Sequence, residues 1–233
     1  MSIEVQFEQI GRLIAAEGTA EFPRRLADFL RSVAAYDFTV IFGYCGTARP
    51  LDLYDDFPGS KRAIFVTDYQ AGPYLLDPFY LGATRPVAAG LYRLRDLAPD
   101  RFYQGEYFRS YYAQTGLAEE IGFFVGIGSD AMIVLSLMRA DKVFSTRELA
   151  TLRKAWPVVE AAVQRHWKDL SARFDASGDG GAGRAGPQIE RSFQRFGEGL
   201  LTPREREISE YTLKGYSAEG ISQILGISSG TVR

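Results

Sequence analysis

The chain has 233 residues, 46% hydrophobic and 24% charged, enough length for two domains and enough apolar surface for a sizeable core. A net charge of −2 excludes a protein that coats nucleic acid through bulk positive charge. One cysteine (Cys45) and one histidine (His166) exclude an internal disulfide and a Cys/His zinc cluster; with no apolar leader or bilayer-length apolar run, a cytoplasmic protein is expected.

Helical spacing opens the chain. Phe7, Ile10 and Ile14 recur at helix intervals, and Phe22, Leu26, Phe29, Leu30 and Val33 do so after Thr19, a candidate N-cap. The apolar run Phe38–Tyr44, a turn around Gly46–Pro50 and the run Leu51–Phe57 read as a β-hairpin. A mixed stretch full of aromatics follows, then a third strand at Gly90–Leu94 and a helix near Glu106–Thr115. The runs Glu120–Gly128 and Ala131–Arg139 flank Ser129-Asp130 as a second hairpin. Ser145 opens a capping box with Glu148 at the third helical position, and a long helix is expected to run to about Ala172 with Pro157 as its kink. This order predicts an α+β domain over residues 1–174: an antiparallel sheet of about five strands covered by helices, a sensor of the GAF or PAS kind with a cavity on one sheet face. Residues 175–188, DASGDGGAGRAGPQ, are too poor in apolar side chains to offset their ordering entropy and read as a flexible linker.

Residues 189–233 read as a small all-helical domain. Thr202 is an N-cap with Pro203 at the first helical position and Glu205 three residues on; Ile208, Tyr211 and Thr212 continue the inner face, and Lys214-Gly215 stops the helix. Ser217 caps a second helix carrying Ile221, Ile224 and Leu225, Gly226 ends it, and Ser228 caps a third. Ile221, Ile224, Leu225 and Val232 are the expected core of this unit. Short helices joined by a tight glycine-containing turn are a helix-turn-helix, whose second helix reads the major groove.

LTPREREI, then Gly215, Ser217, Ile221, Leu225-Gly226-Ile227-Ser228 and Thr231-Val232, resembles the DNA-binding domain of LuxR-type regulators over about 35 residues. The resemblance implies double-stranded DNA as partner and a homodimer, with Ser229, Thr231 and Arg233 facing bases and phosphates and Lys214 touching backbone near the turn. Gly220 and Ser222 depart from the family pattern. The segment 189–233 carries six basic and six acidic residues, and the sequence stops about one turn into the reading helix. A fragment of a longer regulator is expected. The rival is an interaction protein that pairs with full regulators and inhibits them without gripping DNA.

The stretch Tyr69–Tyr80, YQAGPYLLDPFY, resembles the Tyr…Asp-Pro segment of the autoinducer-binding domain in the same family. That implies a pocket in which Asp77 accepts a hydrogen bond from a ligand amide, with Tyr69 and Tyr74 nearby, Tyr92 where the family has a tryptophan, and Ser136 near a pocket-lining hydroxyl. A carboxylate buried among tyrosines is costly unless paired, so it suits a small polar ligand carrying an amide or ammonium donor. Two readings of Asp77 stay open, since an Asp-Pro pair also caps helices and tyrosines also pack cores. No tryptophan precedes Trp156, and GLAEEIGFFVGIG replaces the family's later Gly-rich element, so a LuxR "solo" sensing something other than a homoserine lactone is expected.

Glu119 and Glu120 point to opposite faces of a strand and read as capped or solvated charges rather than a metal or acid–base pair. His166 reads as a packing residue and Cys45 as a small hydrophobe. No catalytic motif, metal site or cofactor is expected, and dimerisation is assigned to the Ser145–Ala172 helix with the N-terminal helices.

Overall fold

A computed structural model describes residues 3–85, 87–176, 195 and 197–233. Five strands, β1 (Phe38–Cys45), β2 (Leu51–Asp55), β3 (Gly90–Arg93), β4 (Glu119–Ile127) and β5 (Ala131–Arg139), form one sheet in the order β2-β1-β5-β4-β3. Every neighbouring pair is antiparallel. Both hairpins read from the sequence are present. β2 stops at Asp55 rather than Phe57, because Asp56 turns its carboxylate onto the Thr39 amide and Phe57 drops into the core.

Helices cover both faces. On one lie α1 (Ile3–Ala15), α2 (Phe22–Val33), α7 (Thr146–Lys154), α8 (Trp156–His166) and α9 (Leu170–Ala176). Their partners on the sheet are the odd-numbered residues Ile121, Phe123, Val125, Ile133, Leu135 and Leu137, all 0% exposed. The single helix expected over 145–172 is thus three. Pro157 lacks an N–H and sits in the first turn of α8, so the chain breaks at Ala155. A tight turn then buries Trp167 and Leu170 before α9. The capping box of Ser145 and Glu148 is formed. Thr19 does not cap α2; its hydroxyl donates to Ala16 and finishes the turn after α1. α1 meets the core through Ile10, Leu13 and Ala16, which leaves Phe7 and Ile14 largely exposed.

The second face is covered by the aromatic-rich stretch that showed no sequence period and by the helix expected near Glu106–Thr115, which is present with a π-type turn inside it. α3 (Gly59–Arg62) runs on as a wide π-type helix Ala63–Asp68; a 3₁₀ turn Pro73–Leu76 leads into α4 (Pro78–Thr84). After β3 come α5 (Leu94–Leu97), a 3₁₀ turn Phe102–Gln104 and a second π-type segment, Phe108–Tyr112, which runs into α6 (Ala113–Thr115). No single period marks such a chain of short α, π and 3₁₀ pieces.

The C-terminal unit contains α10 (Pro203–Leu213), α11 (Ala218–Leu225) and α12 (Ser229–Val232). Thr202 and Glu205 close a capping box, and the Ser217 and Ser228 hydroxyls accept from the Gly220 and Thr231 amides. Gly226 (φ 63°) ends α11 in the left-handed region that only glycine enters without cost. Residues 177–188 of the expected linker lie outside the described residues; 175 and 176 end α9. Among the described residues no helix is long and apolar enough to cross a membrane.

Candidate ligand pocket and DNA-reading head

The second sheet face holds a narrow cavity of about 20 Å³, little more than one water needs. β1 supplies Val40, Phe42 and Tyr44, β4 supplies Glu120, and β5 supplies Ser136 and Met138. These positions share one face because strand side chains alternate and Val40 and Gly122 both pair with Ser136. The opposite wall is aromatic, with Phe65, Tyr69, Phe79, Tyr107, Tyr111 and Tyr112. Gly122 makes room for that wall: a Cβ there would lie 2.8 Å from the Phe79 ring.

Asp77 is buried at the start of α4, where it caps the helix and also faces the cavity. Its Oδ1 accepts from the Phe79 amide at 3.0 Å as the helix cap, while Oδ2 accepts from the Tyr69 hydroxyl at 2.6 Å inside the cavity. Tyr69 is also linked to the Tyr44 hydroxyl at 3.0 Å. Burial pushes the Asp77 carboxyl up to about 6, against the lowering effect of the Tyr69, backbone and Tyr107 hydrogen bonds.

Glu120 is the residue that reasoning from sequence missed. Far from being solvated, it is 9% exposed and lines the cavity with Ser136, whose side chain hydrogen-bonds it. Burial, and then repulsion from Asp77, push its carboxyl up to about 8. Its neighbour Glu119 faces the other way, where it pairs with Arg93 and accepts from the Phe144 amide. The available signal was the strand EEIGFFVGI, in which every residue after the two glutamates is apolar or glycine; a strand with no polar face leaves no exit to water for either carboxylate.

The other residues expected in the pocket divide. Tyr69 and Ser136 line it. Tyr74 is 1% exposed but packs behind the wall against Tyr69 and Tyr80 rather than on the cavity surface. Tyr92 stands on edge strand β3, donates its hydroxyl to the Ala88 carbonyl and meets Phe124 edge-on, outside the cavity. An edge strand one position beyond β4 cannot bring that ring round to the cavity. His166 stacks on Phe22 at 4.0 Å and accepts from the Gly18 amide through Nδ1; burial lowers its pKa. Among the described residues no group of His, Cys, Asp and Glu is arranged to hold a metal.

In the C-terminal unit, Ser229, Thr231 and Arg233 are exposed on and just after α12. Lys214 is not: it is 7% exposed, 3.7 Å from Glu210, with its ammonium over the Tyr211 ring. The α10–α11 turn rests on the loop at residues 99–105. There Arg101 N donates to the Gly215 carbonyl at 3.1 Å, Ser217 N donates to Asp100 Oδ1 at 2.9 Å, and Arg85 reaches the Tyr211 hydroxyl at 3.5 Å. That contact is what covers Lys214, a tertiary effect its own helix does not encode. Ile224 departs from expectation as well: it is 47% exposed, because three short helices enclose only Ile221 fully.

Comparison with known proteins agrees with this architecture. The GerE model, which describes bacterial regulatory proteins of the luxR family, matches residues 199–233. A protein of Aeromonas salmonicida, named as an HTH-type transcriptional regulator in the exeN 3′ region, is 31% identical over 162 residues, covering 67% of this chain and 81% of that protein. Among solved structures, the VqsR LBD domain from Pseudomonas aeruginosa is similar with a TM-score of 0.60 and 26% identity, over 69% of this chain and 94% of that one. CepR2 from Burkholderia cenocepacia, an N-acylhomoserine lactone dependent LuxR family factor, shares the fold with a TM-score of 0.52 at 16% identity, over 72% of this chain and 98% of that one. The chain belongs to the LuxR family of bacterial transcription regulators.

Proposed function

We propose that the protein is a cytoplasmic, homodimeric, DNA-binding regulator whose grip on DNA is set by a small polar molecule held in the sensor cavity, and that it is not an enzyme. The observation that carries this reading is the capped α11–Gly226–α12 hairpin with Ser229, Thr231 and Arg233 open to solvent, on the same chain as a buried cavity containing Asp77. The domain division is 1–174 for sensing, 175–188 as connection and 189–233 for DNA. Ser229, Thr231 and Arg233 meet the duplex, and Lys214 joins them at the backbone only when the turn leaves the 99–105 loop. Tyr69, Asp77 and Ser136 contact the ligand, and Tyr74 and Tyr92 act through the wall. The dimer forms through the exposed α1 positions Phe7 and Ile14 together with the α7–α9 segment.

Selection of bound duplexes from a random library tests the reading. The full chain should enrich a short, two-fold-related sequence, and Thr231→Ala with Arg233→Ala should lose that preference by at least about tenfold. Enrichment that the double variant retains would refute the assignment. The neutral charge balance of 189–233 favours a second reading, an inhibitor that dimerises with full regulators; it predicts no enrichment, and loss of DNA binding by a full regulator mixed with this chain.

A further inference from the structure

The cavity holds two buried carboxyl groups, Asp77 and Glu120, and among the described residues its lining contains no lysine, arginine or histidine. The two acids are not equivalent. Asp77 is committed on both oxygens, to Phe79 and to Tyr69. Glu120 has one polar side-chain partner, the Ser136 hydroxyl, and faces the like charge of Asp77. The groups around it are Asp77 ahead of α4, Tyr44 on β1, Tyr107, Tyr111 and Tyr112 leading into α6, and Ser136 on β5; none of them carries positive charge. Burial raises each of these tyrosines, so they remain neutral rings and hydroxyls.

A buried acid without a counter-ion costs stability and does nothing for packing that a leucine would not do better. Its presence among aromatic side chains is an arrangement that suits a cation: the rings offer π-electrons, and two carboxylates supply acceptors. A neutral ligand with a single donor leaves one acid unanswered, and an anion is repelled. Resting on the reading that this cavity is the ligand site, we infer that its ligand is a small organic cation, an ammonium or amidinium on a compact flat body, with its N–H groups on Glu120 and Asp77 and the tyrosine wall opening to admit its body.

Proton balance follows from the geometry. In the empty cavity Glu120 carries a proton up to about pH 8. A bound cation requires the carboxylate, so one proton leaves to solvent per ligand bound below that pH. Affinity therefore rises with pH and levels off above about 8.

Benzamidinium and benzamide are near-isosteric and differ in charge, which makes them suitable probes. Titration calorimetry on the full chain, in two buffers of different ionisation enthalpy, reads affinity and protons together. The inference expects benzamidinium to bind at least about tenfold more tightly than benzamide, with release of a proton at pH 7, and Glu120→Gln to abolish both the preference and the release. Equal binding of the two probes, preference unchanged in Glu120→Gln, or no binding of benzamidinium at millimolar concentration each overturns it. Failure of the ligand-site reading looks different: benzamidinium then binds with Glu120→Gln and Tyr69→Phe both without effect. Success or failure here leaves the duplex-selection result unchanged.

Discussion

The two faces of the sheet follow different rules although they share the same strands. The face toward α1, α2 and α7–α9 is closed by Ile121, Phe123, Val125, Ile133, Leu135 and Leu137, with aliphatic side chains dominating, and its buried charges Glu119 and Arg139 are paired with Arg93 and Glu148. One residue along each strand, the opposite face carries Glu120, Ser136 and Tyr44 against a wall of tyrosines and Asp77. One face pairs its buried charges; the other holds two buried carboxyl groups with no basic partner in the cavity lining, which lowers stability and marks it as the candidate site. An α-β-α layering lets this happen because each face has its own cover, so a cost on one is offset by the other.

Substitutions that treat the two faces alike would break this contrast. The largest effect is expected on the packed face, where Leu135→Ala should cost about 2–5 kcal/mol and lower the thermal midpoint sharply in a melting experiment. A loss under about 1 kcal/mol would mean that the face is not close-packed. On the other face, Gly122→Ala should cost about 1–3 kcal/mol, since the added methyl meets the Phe79 ring, and Phe79→Leu in the same chain should recover part of it.

Glu120→Gln should move stability the other way. The folded chain holds the Glu120 proton up to about 8 whereas the unfolded chain releases it near 4.5, so stability is greatest below pH 4.5 on this account and falls as pH rises through that window. The glutamine should remove that fall and raise the midpoint at pH 8 by about 2–6 °C, followed by circular dichroism across pH 5–9. A midpoint lowered at pH 8 would show that the ionised carboxylate is stabilising and would undo the contrast.

The smallest effect sharpens a second boundary, that between sensor and head. Asp100 is opposed by its own partial burial but held below the usual carboxyl range by hydrogen bonds from Ser217. Asp100→Ala should cost about 0.5–1 kcal/mol and, more tellingly, make the 99–105 loop and the α10–α11 turn exchange amide hydrogens faster. Unchanged exchange would mean that the contact does not hold the head.

The elements whose causes are local were legible from the residues alone: the two hairpins, the capping boxes at Ser145 and Thr202, the Ser217 and Ser228 caps and the Gly226 stop. The caps and the stop rest on groups within four residues of one another, and each hairpin joins two strands that follow directly in the chain, so the sequence determines them. Asp77 was legible for the same reason, as half of its role is a helix cap.

What the tertiary structure decided has its cause at a distance. Glu120 is a cavity acid and Glu119 a paired one only because different helices lie on the two sides of β4. Tyr92 is excluded from the cavity by the strand order, and Lys214 is buried by a loop more than 100 positions earlier in the chain. Strand alternation tells which residues part company, but which side receives the cavity depends on the layers that fold over it, and those are placed by contacts no short window of sequence contains.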